Sequence, residues 1–316
     1  MRQRLGFLII LLAAAGSAPA QEPDFSKVEI KTTQLAPDLY LLQGAGGNIT
    51  AAVGSDGVLL VDDSFAPLAD KIRAALKGVG GGDKAVRYVI NTHYHYDHTQ
   101  GNLPFIQGGA VVIVQDNLRT RLASGGTAGN GGTITREIKA VEPEALPQLT
   151  FSQETTVHLS GQAAHVVHYA NAHTDGDAIV FFPKASVVAM GDIFVRYGFP
   201  FIDINAGGSV QGMIAACEDV LHKAPADAKI VPGHGELANI EDLKTYTAML
   251  KDTSAAVTNA LRANKTLAQM KQEHILAAWS ERYSPPKAFV DTDAFIDTLY
   301  NSLNQRVARH GHRPVH

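Results

Sequence analysis

Along the first half of the chain, short apolar runs alternate with tight polar breaks. "LYLLQG" (39–44), "ITAAVG" (49–54) and "GVLLVDD" (57–63) are rich in Val, Ile, Leu and Tyr, and glycine or Asp56-Gly57 stands between them. This pattern predicts antiparallel strands joined by tight turns. "APLADKIRAALKGV" (66–79) changes to helical spacing and ends at glycine. "VRYVINT" (86–92) and "AVVIV" (110–114) read as buried strands, and "QDNLRTRLASG" (115–125) as a helix with a glycine stop. The second half starts again with strands, in "TVHLSG", "AHVVHYA", "DAIVFF" and "SVVAMGD". A helix over about 209–223 leads to the strand "AKIVPG", and from Asn239 to about residue 308 the spacing is mostly helical. Both halves thus run from strands to alternating helix and strand. Sheets covered by helices on their outer faces satisfy that order, which is α/β in class. No linker divides residues 21–316, so one domain with a helical C-terminal part is expected. The glycine-rich "SGGTAGNGGT" (124–133) predicts a flexible surface loop. A mobile flap over a site is the sharper alternative.

Residues 1–20 do not belong to this pattern. Arg2 and Arg4 open the chain, Leu5–Ala15 is apolar, and Ala18-Pro19-Ala20 offers small residues for cleavage. That is the anatomy of a secretory signal peptide, with an apolar core short for a membrane span. The expectation is a periplasmic or secreted protein without stable membrane association after cleavage. Cleavage removes two arginines and no acid, so the formal charge moves from −4 to −6. A mildly acidic chain has no electrostatic pull towards nucleic acid, which leaves a small molecule as the expected partner. Oligomeric state is not readable. Export permits disulfides, yet Cys217 is the only cysteine, so the core must carry the stability.

The chemistry is concentrated in "INTHYHYDHTQGN" (90–102), which follows a predicted strand directly. In an extended segment residues two apart share a side, so His93, His95 and Asp97 can converge while His98 points elsewhere. One tetrahedral ion cannot easily use all four, but two neighbouring ions could. Imidazole and carboxylate are zinc ligands at about 2.0–2.2 Å. His173 in "NAHTDGD", Asp192 in "VVAMGDIF" and His234 in "IVPGHGE" each follow a predicted strand, with glycine close by. Any one of them alone reads as an ordinary polar turn residue. Four strand ends offering the same ligand chemistry point to a metal centre.

On these motifs the sequence resembles the metallo-β-lactamase superfamily of zinc hydrolases. The resemblance rests on His93-Tyr-His95-Tyr-Asp97-His98, His173, Asp192, His234 and the "LLVDD" turn with Asp62, and runs from about residue 35 to 250. It implies a four-layer αββα sandwich and two zinc ions per chain. Carried over by position, His93, His95 and His173 would hold the first ion, Asp97, His98 and His234 the second, and Asp192 would bridge them. Two dications about 3.5–4 Å apart would lower the pKa of a shared water towards about 7, generating hydroxide to attack a carbonyl. Asp97 would orient that hydroxide and relay a proton. Asp62 and Thr92 are candidates for fixing ligand orientation. Thr92 reads equally as a strand end.

The first reading is therefore an exported binuclear zinc hydrolase opening a cyclic amide or ester, with β-lactams the best single choice. Aspartate at 192, where the familiar lactamases carry cysteine or serine, favours the alternative of a lactonase or thioesterase. A reading from another class is a metal-binding protein without turnover. Arg196 could anchor a substrate carboxylate and Asn205 a substrate carbonyl. Both also read as ordinary loop surface. Phe199 and Phe201 either line an apolar wall or simply pack.

Overall fold

The structure, a computed structural model, describes residues 24–310, with side chains as far as residue 304. The signal segment expected over residues 1–20 lies outside the described residues. Two mixed sheets dominate. In the first, β1 (Lys31–Ala36), β2 (Leu39–Gln43), β3 (Ile49–Gly54) and β4 (Gly57–Val61) form an antiparallel meander. β5 (Val86–Ile90) and β6 (Val111–Gln115) then add in parallel, after helical crossovers. β7 (Gly126–Gly129) and β8 (Thr135–Ile138) make a separate two-stranded hairpin, and β9 (Leu149–Phe151) closes the first sheet beside β6. In the second sheet β10 (Glu154–Leu159), β11 (Gln162–His168), β12 (Ala178–Phe182) and β13 (Val187–Ala189) are antiparallel. β14 (Lys229–Val231) runs parallel to β13, and β15 (Ala238–Asn239) returns along it.

The crossovers supply the outer layers. α1 (Ala69–Leu76) joins β4 to β5, α2 (Tyr96–Thr99) and α3 (Asn102–Gln107) join β5 to β6, and α4 (Asp116–Ser124) follows β6. α5 (Val210–Lys223) joins β13 to β14. Then come α6 (Ile240–Arg262), α7 (Leu267–Gln272), α8 (Ala277–Tyr283) and α9 (Thr292–His310). Asn239 and Asp242 form a reciprocal cap that starts α6.

Strand alternation explains the layering. All five residues of β4 are buried, because both faces of its sheet are covered. Leu59 and Val61 meet Val166, Val180 and Ala189 of the second sheet in the central core. Val58 and Leu60, on the opposite face, share a cluster with Ile72, Leu76 and Leu118 of the helices. Each fully buried side chain of this kind contributes about 1.5–3 kcal/mol. The architecture is the αββα sandwich that the sequence resemblance implies.

One expectation changes. The glycine-rich stretch is not a free loop, since part of it forms β7 and the turn into β8. Asn130, fully buried, donates from Nδ2 to the carbonyl of Ala294 in α9 (3.1 Å) and accepts from the backbone of Gly132 and Ile134. Asn301 Nδ2 donates to the Gly131 carbonyl (3.0 Å). Glycines leave no side-chain alternation to read, so the strand was invisible to periodicity.

Candidate metal centre

The C-terminal ends of β4, β5, β11, β13 and β14 open onto one rim. β4 with β5, and β13 with β14, are parallel neighbours, so their following loops emerge side by side. Asp62 follows β4, the segment from Thr92 to His98 follows β5, His173 follows β11, Asp192 follows β13 and His234 follows β14. Ligand atoms of His93, His95, His173 and Asp192 all lie within 4.8 Å of one another, and so do those of Asp97, His98 and His234. Close approach needs small residues. A Cβ on Gly47 would sit 2.2 Å from His98 Cε1, and one on Gly233 would sit 2.0 Å from Asp192 Oδ1.

The hydrogen bonds fix which ring nitrogens are free. His95 Nε2 lies 3.0 Å from a carboxylate oxygen of Asp203, and His173 Nδ1 lies 2.8 Å from the Phe201 carbonyl. Neither oxygen can donate, so each nitrogen carries its proton there. Thr92 Oγ1 donates its proton to Asp62 Oδ2 (2.9 Å), so its contact with His93 Nδ1 (3.0 Å) makes His93 the donor. The remaining nitrogens therefore present lone pairs. His95 Nδ1 and His173 Nε2 face each other at 2.9 Å, and His93 Nε2, although buried, has no hydrogen-bond partner. Three lone pairs aimed at one point repel unless a cation lies among them. Burial and the neighbouring imidazoles push His93 well below the ordinary histidine range and His173 down to about 4, so both rings are neutral and ready to ligate.

The second group is arranged differently. His98 Nδ1 donates to Asp62 Oδ2 (2.8 Å), which turns Nε2 towards His234 Nε2 at 3.2 Å. His234 Nε2 is 3.3 Å from Asp97 Oδ2. Asp192 stands between the groups. Its Oδ2 is 4.0 Å from His93 Nε2 and 3.9 Å from His173 Nε2, while Oδ1 is 3.2 Å from His98 Nε2 and 3.4 Å from His234 Nε2. Oδ1 still makes no well-formed hydrogen bond. Burial works against charge on His98 and His234, but the adjoining carboxylates outweigh it. They hold His98 well above the usual range and His234 up at about 10. The same contacts, against burial, keep Asp97 below and Asp192 well below the ordinary carboxylate range. Protons thus fill the role of a cation here when none is bound. The donor set, imidazole nitrogen with carboxylate oxygen, suits zinc, and both groups could hold metal ions.

Above the ligands lies a cleft of about 540 Å3. His95, Asp97, Asp192 and His234 form part of its floor, Tyr197, Phe201 and Phe289 one wall, and hairpin residues including Ile134, Arg136 and Ile138 the other. The superfamily family model, described as metallo-beta-lactamase superfamily, matches residues 42–234. The chain belongs to the metallo-beta-lactamase superfamily. That is a superfamily of metal-dependent hydrolases. A hydroxyacylglutathione hydrolase from Polaromonas sp. is 27% identical over 172 residues, 54% of this chain and 56% of that protein, so the chain spans little more than half of that relative's length. A metallo-beta-lactamase from Pontibacter korlensis superposes with a TM-score of 0.55 at 16% identity, over 71% of this chain and 100% of the other. A double mutant of a sec-alkyl sulfatase superposes with a TM-score of 0.60 at 16% identity, over 90% of this chain and 51% of the other. These structural likenesses concern the fold.

Within this superfamily fold the structure brings together all seven residues expected as ligands. It places Asp62 beneath them. Asp62 has φ 62°, a strained backbone for a non-glycine residue, and its carboxylate accepts from the Thr92 amide (2.7 Å), the Thr92 hydroxyl and His98. Thr92 lies just past β5, and its hydroxyl also touches His93 Nδ1. Arg196 and Asn205 do not line the cleft. Arg196 reaches the Leu237 carbonyl (2.9 Å) and Asp242 (3.4 Å) on the outer side, because its backbone amide is bonded to the His234 carbonyl (3.0 Å) and its side chain leaves the other way. Asn205 is exposed, and its backbone N–H donates to the Gly129 carbonyl (3.2 Å). Phe201 faces the cleft, whereas Phe199 is fully buried and stacks on Phe295 at 4.4 Å.

Sequence reasoning missed Asp203. It is fully buried, and its two oxygens accept from Tyr94 Oη (2.6 Å), His95 Nε2, the Gly129 amide (2.9 Å) and the Ala206 amide (3.0 Å). An acid between apolar residues in "FIDIN" was the available signal, since buried charge must be paired. Arg136 and Phe289 were missed as well.

Proposed function

We infer that this protein is an exported two-zinc hydrolase acting on an acyl substrate, with cyclic amides and esters, β-lactams first among them, as the leading class. The observation that carries this reading is the pair of ligand groups meeting at Asp192 on the cleft floor, with lone pairs of His93, His95 and His173 left free by their other hydrogen bonds. Zinc bound there supplies a Lewis acid and lowers the pKa of coordinated water.

The chain's own residues do the rest. Asp97 lines the cleft and is ionised at neutral pH, so its carboxylate can orient an attacking water and take its proton. Asp203, Thr92 and Asp62 hold the ligand rings in one orientation. Phe201, Tyr197 and Phe289 offer apolar surface to the substrate body. The basic start, apolar core and small-residue end of residues 1–20 support export.

A second reading, a thioesterase or lactonase, draws support from the carboxylate at 192 and from the hydroxyacylglutathione hydrolase relative. A chromogenic cephalosporin, a lactone and a thioester, each assayed with and without chelator, separate the two. Chelator-sensitive turnover of the cephalosporin supports the leading class. Turnover of only the other two moves the assignment to the second. No turnover of any by zinc-loaded protein leaves a metal-binding role.

A further inference from the structure

Arg136 carries a charge that the fold does not use. It lines the metal cleft, and among the described residues its guanidinium makes no ion pair and no hydrogen bond. No other lysine or arginine lines that cleft. Arg136 lies on β8, where Thr135 and Ile138 also line the cleft and Glu137 does not. Directly across the hairpin is Ala128, too small to cover the arginine.

The guanidinium is nevertheless held. It lies over the Tyr96 ring at 4.9 Å, and that ring packs on Phe65 at 5.7 Å. Tyr96 sits between His95 and Asp97, so the support for the cation is built into the ligand segment itself. The hairpin is anchored through Gly129 to Asp203, and through Asn130 and Gly131 to α9. A guanidinium resting on an aromatic face keeps its in-plane N–H groups free to form a bidentate fork with a carboxylate. The acids at the floor, Asp97 and Asp192, belong to the ligand groups and do not pair with it.

We propose that Arg136 is a specificity-determining residue that binds a carboxylate carried by the substrate, away from the reacting carbonyl. The preferred substrates are then acyl compounds with a free acid group, and neutral analogues are disfavoured. This rests on the reading of the floor as a metal centre.

The test uses the zinc-loaded full chain and a short series of ω-mercaptoalkanoic acids with their methyl esters. The thiol seats on zinc and the acid or ester end reaches for Arg136. Calorimetric titration should show the acid binding roughly ten-fold tighter than its ester for at least one chain length. Arg136→Ala should bring that ratio to about one with ester affinity intact, and Arg136→Lys should retain part of it. An acid-to-ester ratio of one in the unmodified protein at every length, with ester binding intact, overturns the proposal alone. So does a preference that survives Arg136→Ala. Absence of ester binding overturns the metal reading together with it.

Discussion

The two ligand groups differ in how they are held. His93, His95 and His173 are buried, and each uses its second ring nitrogen on a fixed partner: Thr92, Asp203 and the Phe201 carbonyl. In the other group only His98 is braced in this way, by Asp62. The side chains of His234 and Asp97 are 21% and 20% exposed, and among the described residues His234 Nδ1 has no hydrogen bond. His93 and His173 of the first group are neutral, and its rings are set for a cation in advance. The second carries protons that a cation must displace. One half of the centre thus has the rigidity of a core, and the other has the adjustability of a cleft wall.

The largest expected effect comes from breaking the rigid half. His95→Ala should remove most metal from the first group and nearly all activity, read by elemental analysis and rate. A variant with two metals and full rate would refute the ligand assignment. Next, Asp203→Ala strips the acceptor from four buried donors, each worth about 1–3 kcal/mol when left unpaired. Urea unfolding should show a loss of several kcal/mol, together with weaker metal retention.

The adjustable half should respond less. His234→Ala is expected to lose one metal and keep the other. In graded chelation of the unmodified protein the second group should empty first. Because metal-free His234 titrates up at about 10, zinc must displace its proton throughout the neutral range. Affinity at that group should therefore rise with pH until about 10, and zinc uptake at neutral pH should release protons to a weakly buffered solution. Simultaneous emptying of both groups, with no proton release, would erase the contrast. Smallest of all, Arg196→Ala should alter activity less than two-fold and stability by no more than about 0.5 kcal/mol, because its partners lie outside the cleft.

What sequence reading could find follows the same division. Ligands at strand ends announce themselves, because a strand, a glycine and a metal-competent side chain recur together at His173, Asp192 and His234. The sandwich follows from apolar runs such as β4, whose two faces both need cover. The walls of the cleft were harder. Arg136 becomes a candidate only once 135–138 is known to be a strand, and the glycines before it hide that strand. Phe289 comes from the helical C-terminal part, beyond the matched residues 42–234, and meets the cleft only through tertiary packing. Arg196 and Asn205 stood in a plausible stretch, yet backbone direction turned one outwards and set the other beside the hairpin.

Asp203 joins these two kinds of structure in a single side chain. One oxygen steadies His95 and the other tethers the hairpin at Gly129. A mutation that reshapes the hairpin for a new substrate would therefore tug on a metal ligand, coupling any drift in substrate range to a change in how firmly the ion is kept.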